Sequence, residues 1–182
     1  VIAESVQSAE RITGVISSLK RFGGEGHTSN TFALNAAIAD AATLLEERIQ
    51  TCGRLDLRLG TVPEIAGDSL ELSQVVLALL TNAIEASERK VGDARIEVTT
   101  FSTGDDVTVV IKDDGDGIPA ELLPKVFEPF VTTKEGEPNA GLGLHTAYQA
   151  VHRHGGQIRL RSKEGQGTKV TVVLPAKGGT QI

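Results

Sequence analysis

The chain has 182 residues, a formal net charge of −6 and a single cysteine, and 40% of its residues are hydrophobic. This length and composition predict one compact domain with a sizeable core and exclude a disordered chain. The lone Cys52 excludes an intrachain disulfide and a multi-cysteine metal site, and it predicts a reducing, cytoplasmic location. No apolar run reaches the length of a membrane span, no signal pattern begins the chain, and the negative charge disfavours nucleic acid as a partner.

The first segment of the chain has the pattern of one amphipathic helix followed by a run of glycines. Apolar side chains recur every three or four residues from Ile2 to Phe22. Such a stripe needs a partner, either the same domain or, as we favour, a bundle or coiled coil completed by another segment. The start at Val1 and the lack of Met predict a piece of a longer protein, divided into residues 1–26 and a domain at 27–182.

The pattern from residue 28 onward predicts mixed α and β structure. Alternating or β-rich runs indicate strands at 31–34, 54–59, 95–101, 107–112, 158–162 and 169–174, and apolar stripes indicate helices at 36–49, 69–89 and 144–154. Asp68 and Ser69 are N-cap candidates for the second helix, and His152 and His154 are expected to have C-terminal or surface roles in the third. A long loop at 113–143, with a brief helical piece near 120–127, is either functional or disordered.

An acidic run containing glycines follows the fourth predicted strand directly, at residues 113–117. Asp113 could accept a hydrogen bond from an exocyclic amine, and Gly115 and Gly117 would let the chain pass close to a flat ring. A plain β-turn is the alternative. A calcium loop of the EF-hand type fails, because Lys112 and Leu123 would stand at its ligand positions.

Two further features carry groups that could bind an anion or a metal ion. Gly141 and Gly143 stand where the long loop meets a helix, so that amides there could face an anion, although an ordinary loop-to-helix junction would have the same residues. Neither a Walker loop nor a dinucleotide fingerprint is present. Asn82 lies beside the apolar stripe of the 69–89 helix, where its oxygen suits Mg²⁺ or is satisfied in the core, and Glu85 reaches the same edge or is solvated.

The order of these features resembles the ATP-binding domain of two-component sensor histidine kinases. Asn82, the 113–117 run, residues 126–134 and the segment 141–144 resemble the N box, first glycine box, F box and second glycine box of that family, and residues 165–168 resemble its last glycine turn. The likeness covers about residues 32–175, and residues 10–22 are similar to the end of the second helix of the family's dimerisation bundle.

The resemblance implies a fold. It is a two-layer α/β (α+β) sandwich in which a mixed, mostly antiparallel sheet packs on three helices, with an ATP lid at about 132–140. One helix of a dimerisation bundle precedes it.

The resemblance also implies ATP and Mg²⁺ as cofactors. Asn82 would hold the metal, Asp113 would accept from the adenine amino group, and Asn82, Glu85 and Lys134 would be the catalytic residues. The other implied nucleotide-binding residues are Gly115, Gly117, Ile118, Phe130, Thr133, Lys134, Gly141, Leu142, Gly143, Leu144, His145 and Thr168. In this family the γ-phosphoryl group goes to a histidine on the bundle. Because no such segment stands here, this chain alone is not expected to autophosphorylate.

The implied partners are the phosphoacceptor domain of the same protein, a response regulator and a second copy in a full-length homodimer, whether or not the parent is membrane-anchored. Two positions depart from the family pattern, because Ala78 replaces a second Asn and Glu85 stands where many members have Lys. One alternative is therefore a degenerate nucleotide-binding or docking module without phosphotransfer. Another is a hydrolytic relative of gyrase, mismatch-repair proteins and heat-shock chaperones, or a serine kinase, although Ala78 replaces the catalytic Glu of the hydrolytic relatives.

Overall fold

The computed structural model of the chain describes residues 31–132 and 141–176. The helix expected within residues 1–26, its domain boundary and the site candidates Thr133 and Lys134 therefore lie outside the described residues. Within the described ranges, no helix is long and apolar enough to cross a membrane.

The helices and strands follow the predicted order, except that the sequence pattern did not predict the two-residue strand at Ile65–Ala66. They are β1 (Thr31–Phe32), α1 (Leu34–Leu44), α2 (Glu46–Cys52), β2 (Gly53–Leu59), β3 (Ile65–Ala66), α3 (Ser69–Ser87), β4 (Ala94–Thr103), β5 (Asp106–Asp113), α4 (Gly143–Arg153), β6 (Gln157–Lys163) and β7 (Gly167–Pro175).

Five strands form one sheet in the order β2-β4-β5-β7-β6, and β1 pairs separately with β3. β2 runs parallel to β4, whereas all other neighbours are antiparallel. Alternate residues of the central strands, such as Ile96, Val98 and Ile111, are buried against the helices. The predicted fold class, a mostly antiparallel sheet packed on helices, is confirmed.

α3 is the central helix, and its N-terminus is capped as predicted. The Asp68 carboxylate accepts from the amides of Leu70 at 2.9 Å and Glu71 at 3.0 Å, which satisfies two donors that the helix itself leaves unpaired. Buried side chains then recur along one stripe of the helix: Leu72, Val75, Val76, Leu79, Leu80, Ala83 and Ile84. This stripe fixes which face of α3 is left for other contacts.

His154, just after α4, is less exposed than the sequence predicts. Its Nδ1 lies 2.8 Å from the Ala150 carbonyl, which is the expected C-terminal role, but its Nε2 also accepts from the Asp68 amide at 3.0 Å. Only 8% of the side chain is exposed. The ring fits there because a Cβ on Gly67 would overlap it, so the surface role was wrong for His154.

Two predicted helical segments also differ in detail. The helix expected at 36–49 is two helices, because Leu45 leaves helical geometry with ψ near 7° while its amide and carbonyl still bond to Ala41 and Ile49. This single-residue bend keeps Leu45 and Ile49 in the core. The piece expected near 120–127 is only a 3₁₀ turn at Leu123–Lys125.

Candidate functional site

One face of α3 contacts two separate chain segments. The carbonyl of Ala86 accepts from the Asp116 amide at 2.8 Å, and one turn earlier the Asn82 side chain lies opposite Gly143. We call residues 113–118 together with 162–168 the turn end of the site, and residues 126–132 together with 141–145 the helix end. The structure thus places segments of both glycine pairs beside α3, and their joint role in one binding site stays a prediction.

Asp113 is the buried acidic group of the turn end. Its Oδ1 accepts from the amides of Gly115 at 3.0 Å and Thr168 at 3.1 Å. Its residue is only 5% exposed, and burial raises the pKa of Asp113 to about 6 although these two amide bonds lower it. Both of these hydrogen bonds go to Oδ1, so neither of them uses Oδ2.

The backbone of the turn end is packed too closely for side chains at its glycines. A Cβ on Gly115 would overlap the carbonyl oxygen of Ala86, and one on Gly117 would overlap that of Lys163. Gly117 also has φ of 70°, a conformation that residues with a Cβ adopt at a cost of about 1–2 kcal/mol. The turn therefore runs directly against its neighbours, and the packing of the protein itself requires glycine at both positions.

Ser162 completes the turn end, and sequence reasoning missed it. Its Oγ accepts from the Ile118 amide at 2.9 Å, donates to the Gly167 carbonyl at 2.9 Å and lies 2.9 Å from Thr168 Oγ1. Ser162 has one proton, so Thr168 donates to it. The signal was available in the register of the last hairpin, because the turn at 164–166 places Ser162 opposite Thr168.

Asn82 and Gly143 approach each other where α3 passes the start of α4. A Cβ on Gly143 would lie 3.5 Å from Asn82 Oδ1 and 4.0 Å from the Ala78 Cβ. The half-buried amide of Asn82 thus faces the glycine segment rather than the apolar core. Among residues 31–132 and 141–176, no three His, Cys, Asp or Glu side chains cluster to hold a metal ion.

Phe130 and Gly141 lie together at the helix end. The Phe130 amide donates to the Gly141 carbonyl at 3.1 Å, and both residues have positive φ, 66° and 80°. Phe130 is 73% exposed, so no packing of its ring explains a conformation that strains a residue with a Cβ. A Cβ on Gly141 would lie 2.6 Å from the carbonyl carbon of Phe130, so this close approach requires glycine at 141.

The remaining candidates of the helix end occupy the first turn of α4. The Leu142 carbonyl accepts from the Thr146 amide at 2.9 Å, and Leu144 packs against the core. His145 has partners at both ring nitrogens, namely the Phe127 carbonyl at 2.9 Å and the Gln149 side chain at 3.0 Å.

Glu85 lies on α3 near α2, the helix that carries Arg48. Its Oε1 is 3.7 Å from Arg48 Nη2, and Arg48 also contacts Glu88 at 2.6 Å. This ion pair occupies the carboxylate at least in part, and a catalytic role for Glu85 stays a prediction.

This architecture, with an acceptor at one end of a helix-backed site and glycine amides at the other, defines a nucleotide-binding class of α/β domain. A family model described as "Histidine kinase-, DNA gyrase B-, and HSP90-like ATPase" matches residues 67–178. The chain belongs to this family.

Curated relatives are sensor kinases. The chain is 36% identical over 179 residues to the sensor histidine kinase ZraS of Escherichia coli O157:H7. The matched region covers 93% of this chain and 36% of that protein. It is 31% identical over 176 residues to the signal transduction histidine-protein kinase AtoS of Escherichia coli K12, covering 93% of this chain and 28% of that protein. The chain thus spans about a third of the length of the curated relatives it matches.

Solved structures agree with the fold. The catalytic domain of histidine kinase ThkA is 30% identical, with a TM-score of 0.68 over 81% of this chain and 95% of that one. The mycobacterial sensor histidine kinase MprB is 27% identical, with a TM-score of 0.70 over 82% of this chain and 98% of that one. The resemblance drawn from the sequence motifs is therefore confirmed, and the chain carries a histidine kinase-type ATPase domain.

Proposed function

We propose that the domain binds Mg-ATP along α3, with adenine at the turn end and the phosphates at the helix end. The observation that carries this proposal is the buried Asp113 carboxylate, whose Oδ2 is not used by the bonds from Gly115 and Thr168. Adenine presents an amino donor at its sixth position, whereas guanine presents an acceptor oxygen there. Guanine would leave a buried carboxylate facing an oxygen, so the site should prefer ATP over GTP.

The helix end supplies the groups that fit phosphates. In the proposal, the amides of the 141–143 segment and the positive end of α4 face the phosphate oxygens, and Thr133 and Lys134 add to them from outside the described residues. When bound, Mg²⁺ would reduce the negative charge of the phosphates. Asn82 is the side chain that would hold it, and a single protein oxygen is reasonable because Mg²⁺ keeps several waters and takes phosphates as ligands.

In the longer protein, we propose transfer of the γ-phosphoryl group to a histidine of a dimerisation domain, and from there to a response regulator. The family and the sensor kinases among the relatives support this reaction. Two of the described histidines, His145 and His154, are poor acceptors, because Nε2 of His145 lies 3.0 Å from the Gln149 side chain and Nε2 of His154 accepts from the Asp68 amide at 3.0 Å. A cytoplasmic location and a homodimer are parts of the same proposal, because kinases of this type use cytoplasmic ATP and a paired helical bundle.

The test is a calorimetric titration of the chain with Mg-ATP and Mg-GTP, followed by labelled ATP with and without a separately supplied phosphoacceptor bundle. We expect binding of ATP with at least tenfold preference over GTP, no acid-labile label on the chain alone, and label on the bundle when both are present. Equal binding of the two nucleotides would contradict the assignment of Asp113. Phosphohistidine on this chain alone would contradict the assignment of an external acceptor.

One observation favours a second candidate, a module that binds nucleotide without transferring phosphate. Ala78 lies next to Gly143 and Asn82, where a polar side chain would add a ligand for metal or phosphate. The same experiment separates the two functions, because this module would bind ATP and leave the bundle unlabelled.

A further inference from the structure

His145, in the first turn of α4, is held in one orientation by two hydrogen bonds. Its Nδ1 lies 2.9 Å from the Phe127 carbonyl, which can only accept, so Nδ1 carries the proton. In the neutral ring Nε2 is then an acceptor, and the Gln149 amide nitrogen lies 3.0 Å from it. The tautomer follows from the geometry, and both nitrogens are already used within the protein.

Phe127 is also held through its ring. The ring lies 5.0 Å from that of Tyr148, which in turn lies 4.1 Å from that of His152. Residues 145, 148 and 149 share one face of α4, because side chains three and four positions apart are neighbours on a helix. We call His145, Tyr148 and Gln149 the Phe127 clamp, since they fix the main chain and the side chain of that residue.

The clamp lies close to the glycine segment of the helix end. Three residues after Phe127, the Phe130 amide bonds to the Gly141 carbonyl at 3.1 Å. Two residues after Gly141, Gly143 begins α4 opposite Asn82. The segment before Phe130 and the start of α4 are therefore tied at two points, one through Gly141 and one through His145.

We propose that His145 is a positioning residue for nucleotide binding. Its Nδ1–H holds the Phe127 carbonyl, which keeps the glycine amides of the 141–143 segment in one arrangement opposite Asn82. His145 then acts through the protein backbone and makes no direct bond to phosphate, in contrast to the direct contact expected from the sequence. This inference rests on the proposed function.

Three substitutions at this position separate the roles of the two ring nitrogens. His145→Asn keeps a donor where Nδ1 stands, His145→Gln moves the donor to the position of Nε2, and His145→Ala removes both. We expect calorimetry to show roughly tenfold weaker Mg-ATP binding for His145→Ala and His145→Gln, because each loses one net hydrogen bond to the Phe127 carbonyl. For His145→Asn, which keeps that donor, we expect a change of less than about threefold. Thermal unfolding midpoints should stay close to that of the wild type. As a control, His152→Ala should bind as the wild type does, because the contacts of His152 among the described residues are with Tyr148 and not with the Phe127 carbonyl.

A readout without nucleotide tests the clamp independently of the proposed function. Amide hydrogen exchange at Phe130 should be faster in the His145→Ala and His145→Gln variants than in the wild type, and it should be unchanged in His145→Asn. If the wild type binds no Mg-ATP, the proposed function fails, and the exchange result alone supports or overturns the clamp. Equal affinity and exchange in all variants would overturn the positioning role. A loss of affinity in Asn as large as in Ala, with normal exchange, would show that the ring contacts nucleotide directly.

Discussion

The two ends of the site are held by different kinds of contact. At the turn end, backbone lies on backbone, as where the Gly165 amide bonds to the Asp116 carbonyl at 2.6 Å, and Asp113 is fixed by two amides. At the helix end, two hydrogen bonds among the described residues are the Phe130 to Gly141 bond and the His145 bond to Phe127. The difference indicates that backbone packing holds the turn end rigid, as the proposed adenine site requires, whereas single side chains set the arrangement of the helix end.

The largest expected effect tests how rigid the turn end is. Gly117→Ala would combine positive φ with overlap of the Lys163 carbonyl, and we expect the free energy of unfolding to fall by about 4 kcal/mol or more. Gly165→Ala is the matched control, because φ is 72° there and a Cβ would meet open space. It should lower the free energy of unfolding by only about 1 kcal/mol. Similar losses in chemical denaturation of both variants would show that the turn is not tightly packed.

The next effect concerns the chemistry of the turn end. Asp113→Asn keeps Oδ1 for the two backbone amides but replaces Oδ2 by a donor, which would face the adenine amino group. We expect ATP affinity to fall about 100-fold, or about 3 kcal/mol, and the preference over GTP to disappear.

Asp116→Asn serves as the control for Asp113→Asn, because the ion pair of that exposed carboxylate within the described part of the chain is with Arg89 at 3.4 Å. Calorimetry and circular dichroism check binding and fold. Unchanged ATP selectivity in Asp113→Asn would remove the basis of the adenine assignment.

The ionisation of Asp113 gives a third, smaller effect. Burial raises its pKa from an ordinary 3.8 to about 6, so its stabilising contribution is fully present below pH 3.8 and is lost as pH rises through about 6. The unfolding free energy of the nucleotide-free wild type, relative to Asp113→Asn, should therefore fall by about 2 kcal/mol between pH 4 and pH 7. A flat difference in urea unfolding across this range would mean that the carboxylate is well solvated.

The smallest of these effects belongs to the helix end. Asn82→Ala removes one oxygen near Gly143, and we expect about tenfold weaker ATP binding with Mg²⁺ present, or about 1.4 kcal/mol. With the metal chelated, the wild type and the variant should bind alike, which is the internal control. An equal loss with and without Mg²⁺ would mean that Asn82 supports the helix contact rather than a metal.

Local pattern explains why most of the fold was predictable. The alternation in β2 and the apolar stripe of α3 are properties of short segments, and Asp113, Gly115 and Gly117 lie together in sequence as well as in space. Contacts between segments that are distant in sequence were harder to predict. The hydrogen bond of His154 to the Asp68 amide joins residues 86 positions apart, and nothing local to either marks it. The Arg48 to Glu85 pair is of the same kind, since each residue alone fits a solvated helix surface.

The parallel pairing of β2 with β4 has a consequence for the order in which the chain folds. β4 with β5 and β6 with β7 are hairpins, whose short connections close at little entropic cost. β2 reaches β4 across the β3–α3 connection, and at the sheet edge it has one neighbour among the described strands. We therefore expect β2 to join the sheet after the hairpins and α3 have assembled. For the same reason its amides should exchange through openings of lower free energy than those of β5.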